Sequence, residues 1–324
     1  MTQPDNDYQI FGRLEHFPVT FFASVMGLAG LAICWLRFEQ MLELPPRVGL
    51  VLLILVSALF VFISAVYLTK WIRYPEAVVA EFNNPVRINF FPAFSISLLL
   101  LSIAYSGLQL TLSRYLWYAG GLLHLGFTFK LMYIWFHQEF KVEHLTPPWF
   151  IPVVGNILVP IVGVQFAPAD VSWFFYSIGL IFWLVLLSIV FNRIIFHNPM
   201  PDKLLPTLFI LIAPPAVAFI AYIKLTGELD VFARILYYHA LFTTLLLLFM
   251  VDRFKRLPFF ISWWAYTFPL DAITLATFLM YHHTGLQFFK ILSIVLLILA
   301  SLMILLVLYK TLYAAFRRKI CLPE

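Results

Sequence analysis

The stretch Phe259-Phe260-Ile261-Ser262-Trp263-Trp264-Ala265-Tyr266-Thr267-Phe268-Pro269-Leu270-Asp271 decides the fold. It follows a basic cluster, Asp252-Arg253-Phe254-Lys255-Arg256, and opens a long apolar run. A proline stands inside the run and an acid follows two residues later. A mid-helix proline removes a backbone hydrogen bond and bends the helix. A carboxylate at the bilayer centre costs roughly 3 kcal/mol or more. Such a segment is expected inside a helix bundle, facing protein or a water-filled path rather than lipid.

The rest of the chain agrees. Hydrophobic residues make up 63% of the 324 and charged residues 11%, with a mean hydropathy of +0.94. Soluble domains run nearer to about half and about a quarter. The chain therefore reads as an all-α integral membrane protein. Apolar runs of roughly 20 residues favour helices, whereas a barrel alternates over about ten. The net charge of +5 is no nucleic-acid signal, because the charges fall in short loops between spans. Cys34 and Cys321 make no disulfide framework, and the acidic N-terminus is unlike a signal peptide. A bacterial inner (plasma) membrane is the expected location.

Ten spans are expected, at 17–36, 48–69, 88–110, 115–137, 149–164, 171–195, 204–223, 231–251, 258–281 and 288–312. They form a single transmembrane domain over 1–324 with short tails at 1–15 and 313–324. Fourteen Lys and Arg fall on the side that holds both tails, five fall on the other, and two lie within spans. The excess of positive charge marks the cytoplasmic side, so both termini are expected there.

Proline divides the spans into two alternating classes. Every odd span carries one, with Pro18, Pro92, Pro152, Pro214 and Pro269 as markers, and no even span does. This reads as five degenerate repeats of a kinked helix followed by a straight one. Each repeat has two spans, so all five enter from the same side and are related by an axis along the membrane normal. Five kinked inner helices about 8–10 Å apart cannot meet at a point and leave an axial gap. The gap is a candidate pore. Kinked bundles without a pore also exist, but the strict alternation favours the ring.

No catalytic constellation is present, and an enzyme is not expected. His282-His283, His124, His137 and His144 match no metal spacing, and no cofactor is expected. Lys130 reads as a snorkelling or paired structural cation, and His239 as a bonded structural residue. Asp271 is the only acid well inside an odd span, whereas a cation filter usually carries a ring of acids. Small and hydroxyl residues instead offer a neutral wall, with Thr20, Gly27, Ser95, Asn156, Ser262 and Ala265 as candidate lining. Proline-broken helices expose N–H groups and positive dipole ends, and cytoplasmic cations raise local anion concentration. Small inorganic anions are mildly favoured over cations. Among 35 phenylalanines, composition gives no reason to single out Phe259.

The run from Phe259 to Pro269 resembles the ninth-span signature of the tellurite-resistance/dicarboxylate transporter family. His16-Phe17-Pro18 with Gly27 is similar to that family's first-span pattern. The same resemblance implies a more distant relation to the plant guard-cell slow anion channel. The resemblance implies a ring of five helical hairpins, a homotrimer with one pore per protomer, and a phenylalanine on the ninth span that plugs the pore. Counting back from Trp263-Trp264, that position is Phe259. The expected activity is then a gated anion channel of the inner membrane, with a link to tellurite resistance. A secondary transporter for a dicarboxylate or a tellurite-type oxyanion is the alternative. A membrane accessory protein without transport of its own is a third possibility.

Overall fold

A computed structural model describes residues 12–322. The expected tails at 1–15 and 313–324 lie partly outside the described residues. Among the described residues every regular element is helical. In chain order the α-helices are α1 (Phe22–Met41), α2 (Arg47–Arg73), α3 (Pro75–Asn83), α4 (Ala93–Tyr105), α5 (Leu110–His137), α6 (Ile151–Val154) and α7 (Pro160–Gly163). They continue with α8 (Ala169–Phe196), α9 (Ala213–Thr226), α10 (Val231–Phe249), α11 (Val251–Lys255), α12 (Thr267–Thr284) and α13 (Gln287–Phe316).

Among the described residues seven segments are long and apolar enough to cross a membrane. They include three of the five proline-bearing segments, Val19–Met41, Arg87–Tyr105 and Asp202–Thr226. The other four are α2, α8, α10 and α13. Of the remaining expected spans, α5 has the length but is less apolar. Pro147–Gly163 is a shorter, broken segment, and the ninth reaches α-helix only at Thr267. Burial separates the two classes. The three proline-bearing segments are 72–83% buried, and the other four only 22–39%. Helices of the second class are apolar on their exposed faces, as lipid requires.

Each proline-bearing segment passes through 3-10 helix as well as α-helix. The 3-10 stretches are Val19–Phe21, Arg87–Phe90, Pro147–Phe150 with Gly155–Leu158, Asp202–Ile212 and Ile261–Tyr266. The marker prolines stand where one helix type gives way to the other. Pro18 precedes the first 3-10 turn, and Pro92 precedes α4. Pro152 and Pro214 occupy the first turns of α6 and α9. Pro269 is the third residue of α12. A first-turn proline lacks an N–H that would have had no partner anyway. The marker prolines thus accompany a change of helix type at helix starts.

Consecutive long helices pack on each other: α1 on α2, α4 on α5, α9 on α10 and α12 on α13, while α8 packs on the broken segment. Laterally, α1 touches α4 and α12, α9 touches α12 and the broken segment, and α4 touches the broken segment as well. Two close approaches set the first of these crossings. A Cβ on Gly49 would lie 2.6 Å from Leu36 Cγ, so glycine lets α2 reach α1. At that same turn the Glu39 carboxylate accepts the N–H groups of Val48 (2.7 Å) and Gly49 (3.0 Å). It thereby caps a helix start that its own residues leave open. Gly227 and Gly285 end α9 and α12 with φ of 76° and 66°, the left-handed conformation that stops a helix.

Candidate functional site: a cavity walled by the proline-bearing segments

A cavity of about 1140 Å3 is lined by residues from all five proline-bearing segments. Its lining stops at Met26 on the first, Ile96 on the second, Leu158 on the third, Val217 on the fourth and Pro269 on the fifth. Residues further along these segments take no part, so the cavity ends at that level. The deep wall is apolar. The mouth is charged, with Lys70, Arg87, Lys203, Lys310 and Lys319 against Glu15 and Glu81. Cys321 also lies there. Burial pushes its thiol up to about 11, against the opposing pull of Arg13 and Lys70.

The expected lining residues separate into two sets. Thr20, Ser262 and Ala265 line the cavity, as do Pro18, Pro214 and Pro269. The Ser262 hydroxyl donates to the Lys203 carbonyl at 2.6 Å, joining the fifth segment to the fourth. Gly27, Ser95, Asn156, Pro92 and Pro152 are not among the cavity residues. Each of the first three is placed against another helix for a physical reason. Gly27 sits where α1 meets α12, and a Cβ there would overlap Thr267 Oγ1. Ser95 donates to the Pro92 carbonyl (2.8 Å) and pairs with His124 Nδ1 of α5 (2.9 Å). Asn156 donates to Thr128 Oγ1 of α5 (2.9 Å) and to the Val153 carbonyl (2.8 Å). Buried polar groups seek polar partners, and these partners lie on the outer helix or in their own turn.

Phe259 and Phe268 both line the cavity but at different levels. Phe259 precedes all helix of the fifth segment and packs edge-on against Trp263, with ring centroids 5.7 Å apart. It stands at the mouth and not within a helix. Phe268 is in α12, beside Pro269, where the lining stops. It is half-buried, and Pro269 beside it shares the lining.

One cluster at the mouth was not read from the sequence. The Lys70 ammonium donates to Glu81 Oε2 (2.8 Å) and to the Phe17 carbonyl (2.8 Å). The Tyr67 hydroxyl donates to Glu81 Oε2 (3.0 Å), and the Val19 N–H donates to Glu81 Oε1 (2.7 Å). Lys70 was expected in a loop, but α2 runs on to Arg73 and buries it. The cluster clamps the 3-10 turn that brings Thr20 to the cavity.

A five-part wall around an apolar-ended, basic-mouthed cavity restricts the families that fit. The family described as SLAC1, voltage-dependent anion channel, matches residues 16–312. The chain belongs to this family. The S-type anion channel SLAH3 of Arabidopsis thaliana is 30% identical over 311 residues, which are 94% of this chain and 49% of the plant protein. The tellurite resistance protein TehA homolog of Haemophilus influenzae is 26% identical over 298 residues, 90% of each chain. An uncharacterized transporter of Methanocaldococcus jannaschii is 27% identical over 300 residues, 85% of this chain and 87% of that protein. The chain thus spans about half the length of SLAH3, and nearly all of the archaeal and Haemophilus proteins. The SLAC1 match takes in every residue that lines the cavity from His16 to Lys310.

Proposed function

We propose that this protein is a gated anion channel of the inner membrane, with its conduit along the axis of five proline-bearing segments. The cavity walled by all five carries this reading. The lateral contacts support it: α1, α4, the broken segment, α9 and α12 touch in turn and return to α1. The less buried helices then form an outer layer, giving ten membrane-crossing helices in five hairpins. The basic mouth concentrates anions and the neutral depth lets them pass without tight binding. Both termini lie on the cytoplasmic side, the protein is a homotrimer with one conduit per protomer, and its link to tellurite resistance follows its similarity to the Haemophilus protein.

A secondary transporter for dicarboxylates or oxyanions would need fixed cations at depth. The wall there is Met26, Ile96, Leu158, Val217 and Phe268, which favours the channel. The test is flux into liposomes that contain only this chain, with chloride, nitrate and a dicarboxylate compared. Non-saturating anion flux with no cation flux is expected. Saturable uptake that a proton gradient drives would overturn the channel. Crosslinking the same protein in mild detergent is expected to give a trimer, and a preparation that yields monomer alone contradicts the assembly.

A further inference from the structure

Three acids are buried among the described residues, Glu39, Glu81 and Asp271. Glu39 accepts two backbone N–H groups at the start of α2. Glu81 takes the Lys70 ammonium, the Tyr67 hydroxyl and the Val19 N–H. Asp271 is fully buried, and neither carboxyl oxygen has a hydrogen-bond partner. It faces Gly30 of α1, where an added Cβ would lie 2.6 Å from Oδ2. Next to it the Cys34 thiol donates to the Asp271 backbone carbonyl at 3.4 Å.

An ionised carboxylate in such a place costs several kcal/mol unless a cation or several donors meet it. No ion pair involves Asp271 among the described residues. None of the titratable groups on the elements packed against α12 gives the Asp271 carboxyl a hydrogen bond. Tyr237 of α10 pairs with Thr277, and His239 lies against Trp183. Tyr222 of α9 donates to Asp230, and Lys290 of α13 lies over Tyr281. Tyr266, at the start of the fifth segment, packs against Phe209 and Phe254. Among the described residues the Cys34 thiol is the titratable group bonded at Asp271, and its bond is to the backbone carbonyl. Among the described residues no cluster of metal-ligating side chains includes Asp271, whereas a proton needs no further ligand.

We propose that Asp271 is a proton-binding site at the crossing of α1 and α12, linked to movement of the cavity wall. The closed crossing holds the neutral carboxylic acid. When α1 and α12 part, water enters, the O–H bond breaks, and the proton passes to that water, leaving a hydrated carboxylate. The two elements that part carry Ala23 and Met26 on one side and Phe268 and Pro269 on the other. Proton loss and widening of the conduit therefore favour each other, since linkage is reciprocal. Alkaline conditions favour the widened state.

The test has two arms, and only the second rests on the proposed channel activity. In the infrared spectrum of the wild-type protein at neutral pH, a protonated-carboxyl carbonyl band is expected. It should shift when aspartate is isotopically labelled and be lost in Asp271→Asn. A labelled wild type without that band overturns the proposal, whether or not the variant folds. In liposomes, anion flux through wild type is expected to rise about fivefold from neutral to mildly alkaline pH. Flux through Asp271→Asn, which mimics the neutral acid, is expected to stay at the neutral-pH value. A variant that keeps the rise overturns the linkage. A wild type that passes no anions refutes the channel reading, while the infrared arm still decides the proton site.

Discussion

Alanine at Phe268 is expected to raise anion flux by about tenfold or more, and alanine at Phe259 to raise it by a smaller factor. The reason is where each ring stands. The cavity lining stops at Met26, Ile96, Leu158, Val217 and Pro269, and Phe268 is the aromatic at that level. An anion reaching it has lost access to the bulk water of the mouth. A phenyl ring offers no donor to replace the hydration shell, so the barrier there is one of dehydration as well as size. Lowering that barrier by about 1.4 kcal/mol multiplies the rate by about ten. Phe259 is at the charged end, where Lys203 and Lys319 share the lining. Removing its ring acts where charged side chains already favour hydration, so the gain is smaller. The measurement is single-channel or macroscopic conductance of wild type, Phe259→Ala and Phe268→Ala in planar bilayers. If Phe259→Ala opens the path and Phe268→Ala does not, the plug lies at the mouth, as the family resemblance implied for Phe259.

That contrast shows what the sequence could and could not convey. Alternating prolines are a covalent feature, so the five special segments could be read directly. The structure gives each of them 3-10 helix and a share in one cavity wall. The face that each residue presents could not be read in the same way. Ser95 and Asn156 are polar residues on inner segments, which fits a pore wall as well as it fits a bond to the outer helix. In the structure their partners are His124 and Thr128 on α5. Gly27 is small enough for a pore, but its smallness lets Thr267 of α12 come close. Phe259 is placed by counting back from Trp263-Trp264 within the expected span 258–281. In the structure, regular helix begins only at Ile261. The Lys70–Glu81 pair joins two helices across a sharp turn and leaves no local pattern to find.

That pair carries the largest expected effect on stability. Removing Glu81 alone, as Glu81→Leu, is expected to destabilise the protein by about 3–5 kcal/mol. Both side chains are almost wholly buried, at 3% and 2% exposure, so the remaining Lys70 ammonium would be a buried charge without its counter-ion. It would keep the Phe17 carbonyl as a partner, but the Val19 N–H and the Tyr67 hydroxyl would lose theirs. Removing both charges, as Lys70→Met with Glu81→Leu, leaves no unpaired ion. The double variant is therefore expected to be more stable than the sum of the single effects predicts, by about 2 kcal/mol. Denaturant unfolding in detergent, followed for the four proteins of the cycle, measures this coupling. Strict additivity would mean that the two charges do not stabilise each other. The same cycle bears on conduction, because the clamp fixes the Pro18–Phe21 turn and with it Thr20 at the cavity. A variant that unfolds more easily yet keeps wild-type flux would separate the clamp's hold on the fold from any hold on the conduit.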